Sequence, residues 1–182
     1  MSNAAKTLVV AAFLAVCLYP AFCQEVSVGT GTNPMDNTAF VRMRLRADKT
    51  YTSSSGAEVT PSLDIQCNAS PRHASIAVYF YTGLVEAASD VNVRIKVDND
   101  DPFYITYFIL PDGATLQYIA PSSLVDRMSP LEFVAILAMS KTVLVEFNPR
   151  SSPNKEVARF NTSGLLNEFK KHTECVSQVV NR

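Results

Sequence analysis

Val91-Asn-Val-Arg-Ile-Lys-Val97 decides the fold of this chain. Val91, Val93, Ile95 and Val97 fall on one side of an extended backbone, and Asn92, Arg94 and Lys96 fall on the other. A strand repeats its faces every two residues, whereas a helix would scatter this pattern around its circumference. Asp98-Asn-Asp-Asp-Pro102 follows with turn residues, and Phe103–Leu110 (FYITYFIL) predicts the next strand. Pro111-Asp112-Gly113 then turns the chain into Thr115–Ile119. Upstream, Ala74–Tyr81 (ASIAVYFY) presents Ile76, Val78 and Phe80 to one side. Ser62–Cys67 does the same with Leu63, Ile65 and Cys67, and Asn68–Arg72, which contains Pro71, reads as the connection between these two strands. Further back, Phe40–Arg46 sets Met43 and Leu45 inward against Arg42, Arg44 and Arg46. Tyr51–Glu58 reads as a loop.

Downstream the period changes. Ser122 or Ser123 can cap a short helical turn, and Pro130 after Ser129 suits a first helical position. Leu131, Phe133 or Val134, Leu137 and Ala138 share one helical face, which predicts a helix over Leu131–Met139. Lys141–Phe147 returns to strand, with Val143, Val145 and Phe147 on one side. Asn148–Asn154 is a loop, and Lys155–Phe160 is a further strand. Thr162 or Ser163 caps a last helix whose buried stripe is Leu165, Leu166 and Phe169. Lys170, Lys171 and His172 lie near its carboxyl end, where the helix dipole favours cations, and Cys175 closes it. No strand–helix–strand rhythm appears. The expectation is a mainly β (α+β) fold, an antiparallel β-sandwich of about eight strands with one internal helix and a C-terminal helix.

The chain has 182 residues, 16 Lys and Arg against 17 Asp and Glu, 47% hydrophobic residues and no Trp. That length suits one domain with a real core. A net charge of −1 and a charged fraction of 18% speak against a basic nucleic-acid binder and against an acidic disordered chain. At the N-terminus Leu8–Tyr19 is an unbroken apolar run of about 18 Å as a helix, short of a hydrocarbon core of about 30 Å. Pro20 breaks it, and Ala21 and Cys23 sit at the small-residue positions of a cleavage site. Residues 1–23 therefore read as a secretory signal peptide. A lipoprotein anchor on Cys17 or Cys23 lacks the usual small residue ahead of the cysteine, and an uncleaved anchor helix is the other reading. Residues 24–38 read as a flexible N-terminal segment, 39–176 as a single β-rich domain, and 177–182 as a tail. The expected location is periplasmic or secreted, with membrane contact only through the leading segment if it is retained.

Removal of the leader leaves Cys67 and Cys175. An even pair in an exported domain reads as one disulfide, closing a loop worth about 4–5 kcal/mol of chain entropy; two unpaired buried thiols are the alternative. His73 and His172 complete no metal-ligand spacing with them. Asp98, Asp100 and Asp101 form the densest carboxylate group, readable as a Ca²⁺ site or as turn formers; the EF-hand pattern is absent. Asn68-Ala69-Ser70 and Asn161-Thr162-Ser163 match the glycosylation acceptor triplet, which decides nothing. No Gly-x-Ser-x-Gly or phosphate-loop pattern occurs. No catalytic residue, metal or cofactor is assigned. Carboxylates that meet only in space remain open. Arg42, Arg44 and Arg46 read either as an anion-binding stripe or as the solvated side of an edge strand.

The series Pro61-Ser-Leu-Asp-Ile-Gln-Cys67, Val91-Asn-Val-Arg-Ile-Lys-Val-Asp98 and Phe160-Asn-Thr-Ser-Gly-Leu165, ending at Cys175, resembles the VasI/TagO-like family of exported proteins encoded with type VI secretion systems. The similarity runs from Phe40 to Cys175. It departs at Lys96-Val97 before the aspartate and in the absence of Trp. The resemblance implies an envelope accessory protein without established catalysis, with Cys67 and Cys175 as the staple. The function expected is an exported, disulfide-stapled, non-catalytic accessory or binding protein. Its partner is a protein or the cell wall, met through Arg42, Arg44 and Arg46 or through Asp98, Asp100 and Asp101. The alternatives are a small envelope hydrolase with converging carboxylates and a secreted inhibitor presenting Tyr51–Glu58.

Overall fold

The computed structural model describes residues 26–33, 37–53, 56–69, 75–83, 90–118, 128–149 and 154–172. The strands are β1 (Ser27–Thr32), β2 (Ala39–Arg46), β3 (Tyr51–Thr52), β4 (Glu58–Val59), β5 (Ser62–Ala69), β6 (Ser75–Tyr81), β7 (Asp90–Val97), β8 (Phe103–Ile109) and β9 (Thr115–Tyr118). Helix α1 (Pro130–Met139), β10 (Thr142–Phe147), β11 (Glu156–Asn161) and helix α2 (Leu165–Lys171) complete the chain order. Nine strands form one antiparallel sheet in the order β1-β2-β5-β6-β9-β8-β7-β10-β11, and β3 pairs with β4.

This sheet is folded over on itself. Phe80 on β6 and Phe147 on β10 stand four strand spacings apart, about 19 Å on a flat sheet. Their ring centroids nevertheless lie 5.2 Å apart, edge to face, and Phe80 also meets Phe160 of β11 at 6.0 Å. The two halves of the sheet therefore face each other across one core, as in a sandwich. The predicted inward series line that core: Met43 and Leu45, Leu63, Ile65 and Cys67, Val93 and Ile95, Val143 and Val145 are all buried. The ends of the sheet are not joined by a ladder, but the Asp48 N–H just past β2 donates to the Arg159 carbonyl of β11 at 3.0 Å.

Helix α1 packs against β6 and α2. Ser129 and Glu132 form a reciprocal capping box around Pro130, which accounts for the helix starting there. Phe133 stands edge to face against Tyr118 at 5.8 Å, and the Tyr118 hydroxyl donates to the Met128 carbonyl. Among the described residues no helix is long and apolar enough to cross a membrane.

Several expectations need correction. The segment 24–38 contains strand β1, which the sequence did not suggest. All but one of its residues are exposed, so it has no apolar face to betray it. In place of the plain loop expected over Tyr51–Glu58, Tyr51 pairs with Val59 and Thr52 with Glu58 as a small two-stranded ladder. Helix α2 has Gly164 at its cap position and no side-chain cap; the Thr162 hydroxyl is instead 2.8 Å from Ser140 Oγ in a buried pair. Leu165 and Phe169 are buried, but Leu166 is exposed. The segments expected to be a leader (1–23) and a tail (177–182), and Cys175, lie outside the described residues.

Candidate functional site

Strand β2 is not an edge. Strand β1 pairs with one side of it and β5 with the other, so its arginines stand on the outer face of a continuous sheet. Register places them in rows: Arg46 beside Ser62, Tyr81 and Thr115, then Arg44 beside Asp64, Tyr79 and Gln117. Arg42 stands beside Gln66 in the next row. Arg42, Arg44 and Arg46 with Thr60, Ser62, Asp64, Tyr79 and Tyr81 line a groove of about 650 Å³.

Each arginine is held differently. Arg44 grips both oxygens of Asp64, with Nε at 2.9 and 3.0 Å and a terminal nitrogen at 2.7 Å. The hydrogen bond to Asp64 holds the Arg44 guanidinium above its ordinary pKa, with burial opposing. Arg42 donates to the Gln66 carbonyl oxygen at 2.6 and 3.2 Å and lies 5.8 Å from the Phe40 ring centroid, so it is positioned without losing its charge. Phe40 reaches that place because Gly31 opposite has no side chain; a Cβ there would stand 2.5 Å from the ring. Arg46 is exposed and forms no ion pair among the described residues.

Arg46 and Thr60 also line a second groove of about 690 Å³, at the seam where β2 meets β11, together with Asp48, Lys141, Arg159 and Asn161. Lys141, Arg159 and Lys96 then line a third, of about 560 Å³, with Asp98 and Asn99. Lys141, Arg159 and Lys96 likewise form no ion pair among the described residues. Six cationic side chains are thus strung along one surface, and three of them come from chain segments far from the arginine strand.

The acidic turn has a different part. Asp98 takes a left-handed φ of 46°, and its carboxylate accepts the backbone N–H groups of Lys141 at 3.0 Å and Thr142 at 2.8 Å. It fastens the end of β7 to the start of β10 and so orients Lys141. Asp100 and Asp101 are exposed. Among the described residues no three His, Cys, Asp or Glu side chains converge to hold a metal. The arginine groove, the seam groove and the third groove are each lined by one carboxylate, namely Asp64, Asp48 and Asp98. Cys67 is fully buried on β5, and Cys175 lies outside the described residues.

Sequence reasoning missed Lys96, Lys141, Arg159, Tyr79 and Tyr81. Their outward positions on their strands were readable, but their meeting depends on how the sheet folds over. No protein-family model matches the chain, and no curated protein and no solved structure is significantly similar to it.

Proposed function

We propose that this chain is an exported, non-catalytic accessory protein of the bacterial envelope, stapled by Cys67 and Cys175, in a type VI secretion setting. It binds an acidic partner, a protein or the cell wall, through its outer sheet face. The observation that carries this reading is the groove in which Arg42, Arg44 and Arg46 stand side by side against a single carboxylate. Guanidinium groups bind carboxylates and phosphates through paired hydrogen bonds. Asp64 is gripped by Arg44, and among the described residues no second acid of the kind glycoside cleavage requires lines that groove.

The test is co-sedimentation of the purified exported chain with isolated envelopes. Binding is expected to fall steeply as salt rises and to be lost in R42E/R46E, with an unchanged melting temperature. Equal sedimentation of that variant, or release of soluble fragments that D64N abolishes, overturns the reading.

A further inference from the structure

We infer that the acidic partner is an extended polyanionic glycan, a sugar chain bearing carboxylate or phosphate groups at intervals, which lies from the arginine groove into the seam groove. This rests on the binding function proposed above and specifies its ligand. The two grooves are contiguous, because Arg46 and Thr60 line both. Arg42 donates to a neutral amide and keeps its charge unmatched, while Arg44 is neutralised by Asp64. Past Arg46, Lys141 and Arg159 face one carboxylate, Asp48. Positive charge is therefore spread along a track rather than gathered around one point, which suits a repeating anion better than a single phosphate or carboxylate.

The floor of the arginine groove favours a glycan over an acidic peptide. Strand β5 is paired on both sides, and β2 is paired by β5 throughout and by β1 over Ala39–Arg44, so beside Arg42 and Arg44 no main-chain edge is open to an added strand. Tyr79 and Tyr81 bring aromatic rings to the groove lining, and Thr60, Ser62 and Thr115 bring hydroxyl side chains to it beside the arginines. Ring faces with flanking hydroxyls fit the C–H and O–H groups of sugars, and the guanidinium groups fit their charged substituents.

The test measures binding of the full exported chain to a uronate disaccharide, a long oligouronate, a phosphate-bearing glycan of similar length and poly-glutamate of similar charge, by calorimetry. One or both long glycans should bind on the order of a hundredfold tighter than the disaccharide, and whichever is preferred identifies the anionic group. K141E/R159E should weaken the long glycan about tenfold or more while leaving the disaccharide unchanged. Length-independent binding, or poly-glutamate binding as tightly as the glycans, overturns the inference, the latter in favour of an acidic protein. If no probe binds but envelope sedimentation persists, the glycan assignment fails and the binding function stands. If sedimentation also fails, the binding function falls with it.

Discussion

Removing Arg44 should cost more than removing its partner, and removing both should cost less than removing Arg44 alone. The Asp64 side chain is 10% exposed and that of Arg44 is 41% exposed. In R44M the apolar stem survives, but Asp64 is left as a carboxylate largely out of water, without its three short contacts. Breaking a buried pair in this direction costs about 3–5 kcal/mol, and the half-exposed guanidinium reduces that to about 2–3 kcal/mol here. In D64A the arginine turns to solvent, and the loss is about 1 kcal/mol. In R44M/D64A no stranded charge remains, so the double variant should recover about 1 kcal/mol relative to R44M. Urea unfolding at neutral pH, with equal m-values across the cycle, is the assay. Additive losses, or a double variant weaker than both singles, would refute the claim that Asp64 is desolvated by the fold.

The folded-over sheet predicts that F80A loses about 3–5 kcal/mol, because Phe80 is fully buried and meets Phe147, Phe160 and Tyr107; a loss below about 1 kcal/mol in urea unfolding would contradict the facing of the two halves. Gly83 has a φ of +72°, and a Cβ there would stand 2.6 Å from Tyr51 Oη, so G83A should lose about 2 kcal/mol and lower the melting temperature. Burial, followed by the neighbouring Tyr81 and Glu156, pushes Tyr51 up to about 12, and burial pushes Tyr107 higher still. Both favour the neutral phenol, so their contribution is full below the unfolded value of about 10 and is lost as pH rises above it. Stability measured against pH should therefore fall on the alkaline side, and Y107F should soften that fall.

Strands with one buried face were legible because the pleat writes alternation into the sequence, as at 91–97 and 142–147. Strand β1 was hidden because it lies at the end of the sheet with exposed residues on both faces, where Ser, Gly and Thr serve as well as apolar residues. The hairpin β3–β4 is two residues to a strand, too short to carry a period. The cap of α2 was misplaced because Thr162, a good capping residue, has its hydroxyl paired with Ser140 instead. The arginine row was visible as a row. Its conversion into a groove was not, since that depends on β1 and β5 flanking it and on Lys141 and Arg159 arriving across the seam.

The order of strands also bears on when the chain can finish folding. Most pairings join neighbours in sequence, but β7 must wait for β10, more than forty residues later, and the Asp48–Arg159 hydrogen bond needs the last strand of all. Distant pairings of this kind slow folding. A growing polypeptide that ends before 142 has β7 bare on one flank, and Phe80 on the first half of the folded-over sheet has neither Phe147 nor Phe160 to face. Such a molecule stays loose until synthesis is nearly complete, because the facing half of its core does not yet exist.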